Sequence, residues 1–312
     1  MTSPQAAPAT RRRLSRGLFG ALVAFLILPF PPLLLVGPLA GLLVLSRPGS
    51  LREWLWLALA ALMAGLAVGS SPRTVVEEVS LAFAAVHTGV FAALVLLRGG
   101  PALRRAAAAA VVSAGTVGIG CAALGISWAE LTGAVRAQLQ TSLGLLVDPG
   151  AVPPEQLAAI REGVELVGRG YPGLAVLGAM AGGTLAAALV HRVARHPVAA
   201  APGPFREFRF NDHLIWGALL TFGAFLLPIG QPGREVVGNV LLVWAGLYLA
   251  RGVSVAGAVS AGWPVFPRVA LFLSAVLLLP YALGALLLLG VADTWIDIRR
   301  AQRPSPSGGS ES

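Results

Sequence analysis

Residues 18–45 read LFGALVAFLILPFPPLLLVGPLAGLLVL, an apolar run without a single charged side chain. As one α-helix it would rise roughly 42 Å, against a bilayer hydrocarbon core of roughly 30 Å. Pro29, Pro31 and Pro32 fall near its middle, where each removes a backbone donor and stops a helix. The stretch therefore predicts two short helices or one re-entrant hairpin. Irregular backbone at membrane depth must be buried in protein or line a cavity.

The rest of the chain has the same character. Of 312 residues, 56% are hydrophobic and 12% charged, with mean hydropathy +0.78. Soluble domains carry about 25% charged residues, so composition predicts an integral membrane protein. All 23 basic residues are Arg. The net charge of +9 invites a nucleic-acid reading. The arginines, however, stand singly or in small groups between apolar runs, as membrane topology signals do. No nucleic-acid partner is expected.

Chemistry-bearing motifs are scarce. Cys121 is the lone cysteine, so no intrachain disulfide can form, and its apolar setting suggests an inert buried thiol. Without Lys there is no Walker A loop, and HExxH, CxxC and GxSxG are missing. A literal GxGxxG at Gly168–Gly173 contains Pro172 and follows an amphipathic helix rather than a strand; it reads as a helix break. With no nucleophile–base pair or metal-ligand grouping visible, no enzyme activity, cofactor or metal is expected.

Residues 1–16 carry Arg11, Arg12, Arg13 and Arg16 and read as a basic cytoplasmic tail; no small-residue cleavage site follows. Further apolar segments lie near 54–69, 75–97, 105–126, 171–193, 213–229, 236–258 and 268–292. Counting the first stretch as one or two gives eight or nine. Nine places more Arg on the cytoplasmic side but leaves the C-terminal tail outside. Eight brings that tail inside and expels the basic 192–209 loop. The expected fold is thus an all-α polytopic transmembrane bundle over 17–298, with a polar tail at 299–312.

The connection 127–170 is patterned. Ser127–Glu130 is a capping box, and the helix after it carries Leu131, Val135, Leu139 and Leu143 on one side. A second helix aligns Leu157, Ile160, Val164 and Val167, with Glu155, Arg161, Glu162 and Glu165 off that face. Both read as interfacial amphipathic helices, or as a lid over a cavity between spans.

Ionisable groups at membrane depth cost about 2.5–3.5 kcal/mol on insertion scales, so each one needs an account. His87 sits mid-segment on a stripe with Ser80 and Ala84. Arg251 cannot lose its proton; it either snorkels to the boundary or requires an acidic partner or a polar cavity. Asn239 lies on the same segment about 120° around the helix. These three are the candidate solute-site residues. GxxxG pairs at Gly37/Gly41 and Gly178/Gly182 permit close helix contact. The stretch FREFRFNDHLIW, 205–216, reads as an interfacial anchor in which Phe205, Phe208 and Phe210 dip into lipid and Asn211 or Asp212 caps the next helix.

The last apolar run ends in LLLLGVADTWIDIRR, 286–300. Read as continuing helix, it puts Asp293 and Asp297 on one face and lets Asp297 pair with Arg300. Trp295 suits the headgroup level. Asp293, Trp295, Asp297, Arg299 and Arg300 are therefore expected to form an interfacial anchor.

The same closing pattern, with Gly290, resembles that of the YybS-like family of uncharacterised bacterial membrane proteins, domain of unknown function 2232. The N-terminal double segment with Pro29, Pro32 and Pro38, the Phe-rich approach at 205–210, and Asn239, Tyr248 and Gly252 fall in the family's order. The chain departs from the pattern at Asn211-Asp212, where Pro is usual, and at Arg251, where an uncharged polar residue is usual. The resemblance implies a multi-pass protein of a bacterial cytoplasmic membrane. At fold level it implies a likeness to substrate-capture subunits of energy-coupling-factor transporters, which work with a separate ATPase and a coupling subunit. Two functions remain open. One is a transport-related protein, since broken helices often form solute sites. The other is a non-catalytic scaffold for envelope assembly or cell division. The expected partners are membrane lipids and, for a transporter, those separate subunits.

Overall fold

The computed structural model describes residues 21–22, 25, 31–69, 73–97, 100–146, 153–199, 203–296 and 298–299. Their regular structure is helical. The helices are α1 (Leu33–Leu45), α2 (Leu51–Val68), α3 (Val75–Leu97), α4 (Ala102–Ala123), α5 (Trp128–Leu146), α6 (Pro154–Val193), α7 (Leu214–Leu226), α8 (Gln231–Val259), α9 (Val265–Leu277) and α10 (Leu279–Ala292). Short 3₁₀ turns occupy Phe205–Glu207 and Ser260–Gly262. The expected breaks at Pro29, the tail 1–16, and Asp297 and Arg300 lie outside the described residues.

Five of these helices, α2, α3, α4, α6 and α8, are long and apolar enough to cross a membrane. The run 268–292, expected as one span, folds instead as α9 and α10, bent by 112° and counted as a sixth span if taken together. Pro280 in the first turn of α10 accounts for a fresh start there, since proline suits a helix's first positions and not its interior. Helices α1 and α7, 13 residues each, rise about 20 Å and fall short of a bilayer core. The described residues thus hold five or six spans with two shorter apolar helices, where apolar runs alone suggest eight or nine segments.

Local chemistry sets the starts. Ser50 and Glu53 form a capping box at α2. Thr74 and Glu77 exchange the same two hydrogen bonds at α3, as do Ser127 and Glu130 at α5. The amide and hydroxyl of Ser127 hold the Glu130 carboxyl below the usual range. On α5, Leu131, Val135, Leu139 and Leu143 are buried or half-buried, as are Leu157, Ile160, Val164 and Val167 on α6, where Glu155, Arg161 and Glu162 are exposed. Cys121, expected to be buried, is only partly so.

The chain forms two compact units, Met1–Ala134 with Ala175–Pro202, and Val135–Leu174 with Gly203–Ser312. In the first, small residues bring helices together. A Cβ on Gly37 would strike the Thr88 hydroxyl, and one on Gly182 would strike the Leu34 carbonyl. Leu34, Leu42, Leu43, Phe91, Leu189 and Val190 fill the space between. The loop after α6 is fastened by the Glu53 carboxylate, which accepts from the Arg195 amide at 2.6 Å as well as from Gly49 and Ser50.

In the second unit, the expected break at Pro172 does not end the helix; α6 runs through it. Pro172 lacks the N–H of one rung, and its ring crowds the carbonyl four residues back. The next rung joins Arg169 and Gly173, and the Asn239 side chain bonds to both of its ends. Its Oδ1 accepts from Gly173 N at 2.8 Å and its Nδ2 donates to Arg169 O at 2.8 Å. The glycines of the GxGxxG string serve packing: Gly168 against Arg136, Gly170 against Leu242, and Gly173 against Asn239.

Candidate functional site

Helices α8 and α10 cross through glycine. A Cβ on Gly252 would overlap the Leu286 carbonyl, and one on Gly290 would overlap that of Tyr248. This approach carries Arg251, one residue along α8, to Asp293, the residue that closes α10. The helix proper ends at Ala292, and residues 293–296 continue as turns bonded back to Val291 and Ala292; the expected face shared by Asp293 and Asp297 lies partly outside the described residues.

Arg251 is buried, with 1% of its surface exposed, and the Asp293 side chain has none. The guanidinium Nε donates to Asp293 Oδ2 at 2.9 Å, and Nη2 donates to the Asp293 carbonyl at 2.8 Å. Nη1 donates to Asp212 Oδ1 at 2.7 Å. The Phe210 ring lies 5.3 Å from the guanidinium carbon and meets Tyr248 edge-on at 5.1 Å. Arg251 is thus enclosed by protein and has the acidic partners that one of the two sequence readings required. What offsets the desolvation of so enclosed a charge is the pair of carboxylates and the aromatic face.

Two more arginines converge on the same carboxylate. Arg299 Nη2 reaches Asp293 Oδ2 at 3.3 Å while also donating to the Phe208 carbonyl at 3.0 Å. Its Nη1 donates to the Arg206 carbonyl at 3.0 Å. Arg209 approaches Asp293 Oδ1 at 4.0 Å, too far for a hydrogen bond. Ser254 also donates to the Phe208 carbonyl. The closing stretch of the chain and the Phe-rich 205–212 segment are therefore joined over α8, and Arg299 ties down backbone as well as charge. Trp295, by contrast, is 65% exposed.

The expected cap before α7 is not made by Asp212. Asn211 Oδ1 accepts from the His213 amide at 3.1 Å, and Asp212 turns instead to Arg251. Its role was missed because the two lie 39 residues apart. The signal was indirect: an acidic partner was one of the accounts open to a charged residue inside an apolar span, and nothing local named Asp212 as that partner.

The other two candidates lie elsewhere. Asn239 is a backbone partner for α6, as described above. His87 belongs to the first unit, where it is fully buried between Phe83 and Phe91, with ring centroids at 6.3 and 6.0 Å. Its Nε2 faces Gly183. Of the three, only Arg251 sits in a cluster of charges. Among the described residues, no group of three or more His, Cys, Asp or Glu side chains could hold a metal ion.

No curated protein and no solved structure matches the chain. The family described as "Predicted membrane protein (DUF2232)" matches residues 18–294, and with apolar helices spread over that range the chain belongs to this family of membrane proteins.

Proposed function

We propose that this multi-pass protein is transport-related, a small-solute carrier or the substrate-capture membrane subunit of a larger transporter, working without enzymatic chemistry in a bacterial cytoplasmic membrane. The observation that supports this reading is the Arg251 cluster. A permanently charged side chain is held at 1% exposure where α8 crosses the second half of a helix pair bent by 112°. Intramembrane charge and interrupted helices recur together where transporters bind solutes. As a capture subunit it would associate with a separate ATPase and a membrane coupling subunit, and with lipids in either role.

The test is thermal unfolding of the purified full chain against a panel of small solutes, followed by uptake of any stabilising solute into proteoliposomes. A saturable rise in Tm with matching uptake is expected. A panel that leaves both unchanged overturns the reading. The scaffold reading draws on the Arg299 contacts to the Arg206 and Phe208 carbonyls, which suit a structural clasp. Stoichiometric recovery of envelope-building or division proteins from native membranes would favour it.

A further inference from the structure

Arg251 binds two carboxylates of very different standing. Asp293 is wholly enclosed, whereas the Asp212 side chain is 57% exposed. Among the described residues, the Asp212 carboxylate bonds to Arg251 alone. The Asx turn before α7 is made by Asn211, and the N-cap of α7, His213, makes no side-chain cap bond. Asp212 thus covers Nη1 of a buried guanidinium with a carboxylate that lies more than half outside the protein. Screening weakens such half-exposed pairs, so this partner can be exchanged while Asp293 stays.

We propose that Arg251 is the anion-binding residue of a site for small carboxylates, and that Asp212 is the internal carboxylate a ligand displaces from its Nη1. This deepens, and rests on, the transport-related reading. Two further features define the ligand. Arg209, with a side chain 40% exposed, adds a second cation beside the cluster. Asp293 Oδ1 is buried and accepts no hydrogen bond among the described residues, which leaves an acceptor for an N–H or O–H carried near the ligand's carboxylate. The preferred class is a small carboxylate with an adjacent hydroxyl or amino group.

The experiment is chemical rescue in the full-length protein in detergent, using Asp212→Ala and the shape-preserving Asp212→Asn. Tm is read in formate, acetate and glycolate against chloride at equal ionic strength. Both variants should lose several degrees and recover at least half of the loss, saturably, in acetate. Half-saturation should fall at least tenfold below that of the wild type, where Asp212 competes. Adding Arg251→Gln should abolish the response. Glycolate should act at lower concentration than acetate; equal action removes Asp293 Oδ1 from the site. A response no larger than chloride's, or one that survives Arg251→Gln, overturns the proposal. The two readings fail separately. A solute that stabilises the wild type without rescue in the Asp212 variants leaves transport standing and this site refuted. Rescue without any effective solute in the panel does the reverse.

Discussion

Gly252 of α8 and Gly290 of α10 lie backbone to backbone, each leaving no room for a Cβ because the other helix's carbonyl stands there. Alanine at either position must push the helices apart, and overpacking of this kind costs about 1–3 kcal/mol. It also pulls Arg251 away from Asp293. Gly252→Ala and Gly290→Ala should each lower Tm by several degrees. Gly284, in the same helix as Gly290, has nothing within 4 Å of a built Cβ. Gly284→Ala should be neutral or gain about 0.5–1 kcal/mol from better helix propensity. Thermal melts of the three variants in one detergent check the contrast.

The Arg251–Asp293 pair calls for a double-mutant cycle. Removing one member strands a buried charge and costs roughly 3–5 kcal/mol, while replacing both with apolar groups of similar size costs far less. Arg251→Met and Asp293→Leu should each destabilise severely. The double variant should be more stable than either single, so the coupling should exceed about 3 kcal/mol, the cost of one single change. Additive losses would mean that the two charges do not depend on one another. Because Arg299 also reaches Asp293 at 3.3 Å, Arg251→Met should be the milder of the two single changes.

What sequence made legible here was local. Apolar runs located the helices, and the segment read at 75–97 coincides with α3 because Thr74 and Glu77 fix its start. The Ser127 capping box formed for the same reason: all its partners lie within one turn. The readings that failed depended on partners far along the chain or on a break that hydropathy does not register. Pro172 looked like a helix end because its stand-in, Asn239, is 66 residues from Gly173. The run 268–292 is apolar on both sides of Pro280, so nothing in hydropathy marked the 112° bend. An acid was one of the accounts open to Arg251, but nothing local showed which one. Asp212 and Arg251, 39 residues apart, are the two ends of one ion pair, a relationship that single positions cannot display.

Glu53 offers a test in the first unit. Its Oε2 accepts from the amides of Gly49 and Ser50 and from the Ser50 hydroxyl, and its Oε1 accepts from Arg195 N. Both oxygens face donors, so Glu53→Gln, which turns one acceptor into an NH₂ group, should be nearly as damaging as Glu53→Ala. A buried donor left unsatisfied costs about 1–3 kcal/mol. The loop 194–199 keeps the Ser46–Val198 bond at 3.3 Å but loses its shorter tie. Trypsin should therefore cut after Arg195, an exposed residue, several-fold faster in either variant than in the wild type. Unchanged cleavage would show that Glu53 does not hold this loop.

Asn239 and Pro172 should behave as one device. With proline in place, α6 lacks one N–H and its neighbouring rung lies beside the Asn239 amide, which bonds to Arg169 O, Gly173 N and the Glu235 carbonyl. Asn239→Ala leaves a buried amide and a carbonyl poorly served, at a cost of about 1–3 kcal/mol. Asn239→Asp keeps an acceptor for Gly173 but turns a carboxylate oxygen toward two carbonyls, and should be worse. Pro172→Ala restores the missing N–H and removes the ring's crowding of Gly168, so α6 can close its own ladder. In that background, Asn239→Ala should cost less than half of what it costs in the wild type. Equal costs in both backgrounds, measured by thermal unfolding, would mean that Asn239 fastens α6 to α8 independently of the proline and is not a substitute for the rung beside it.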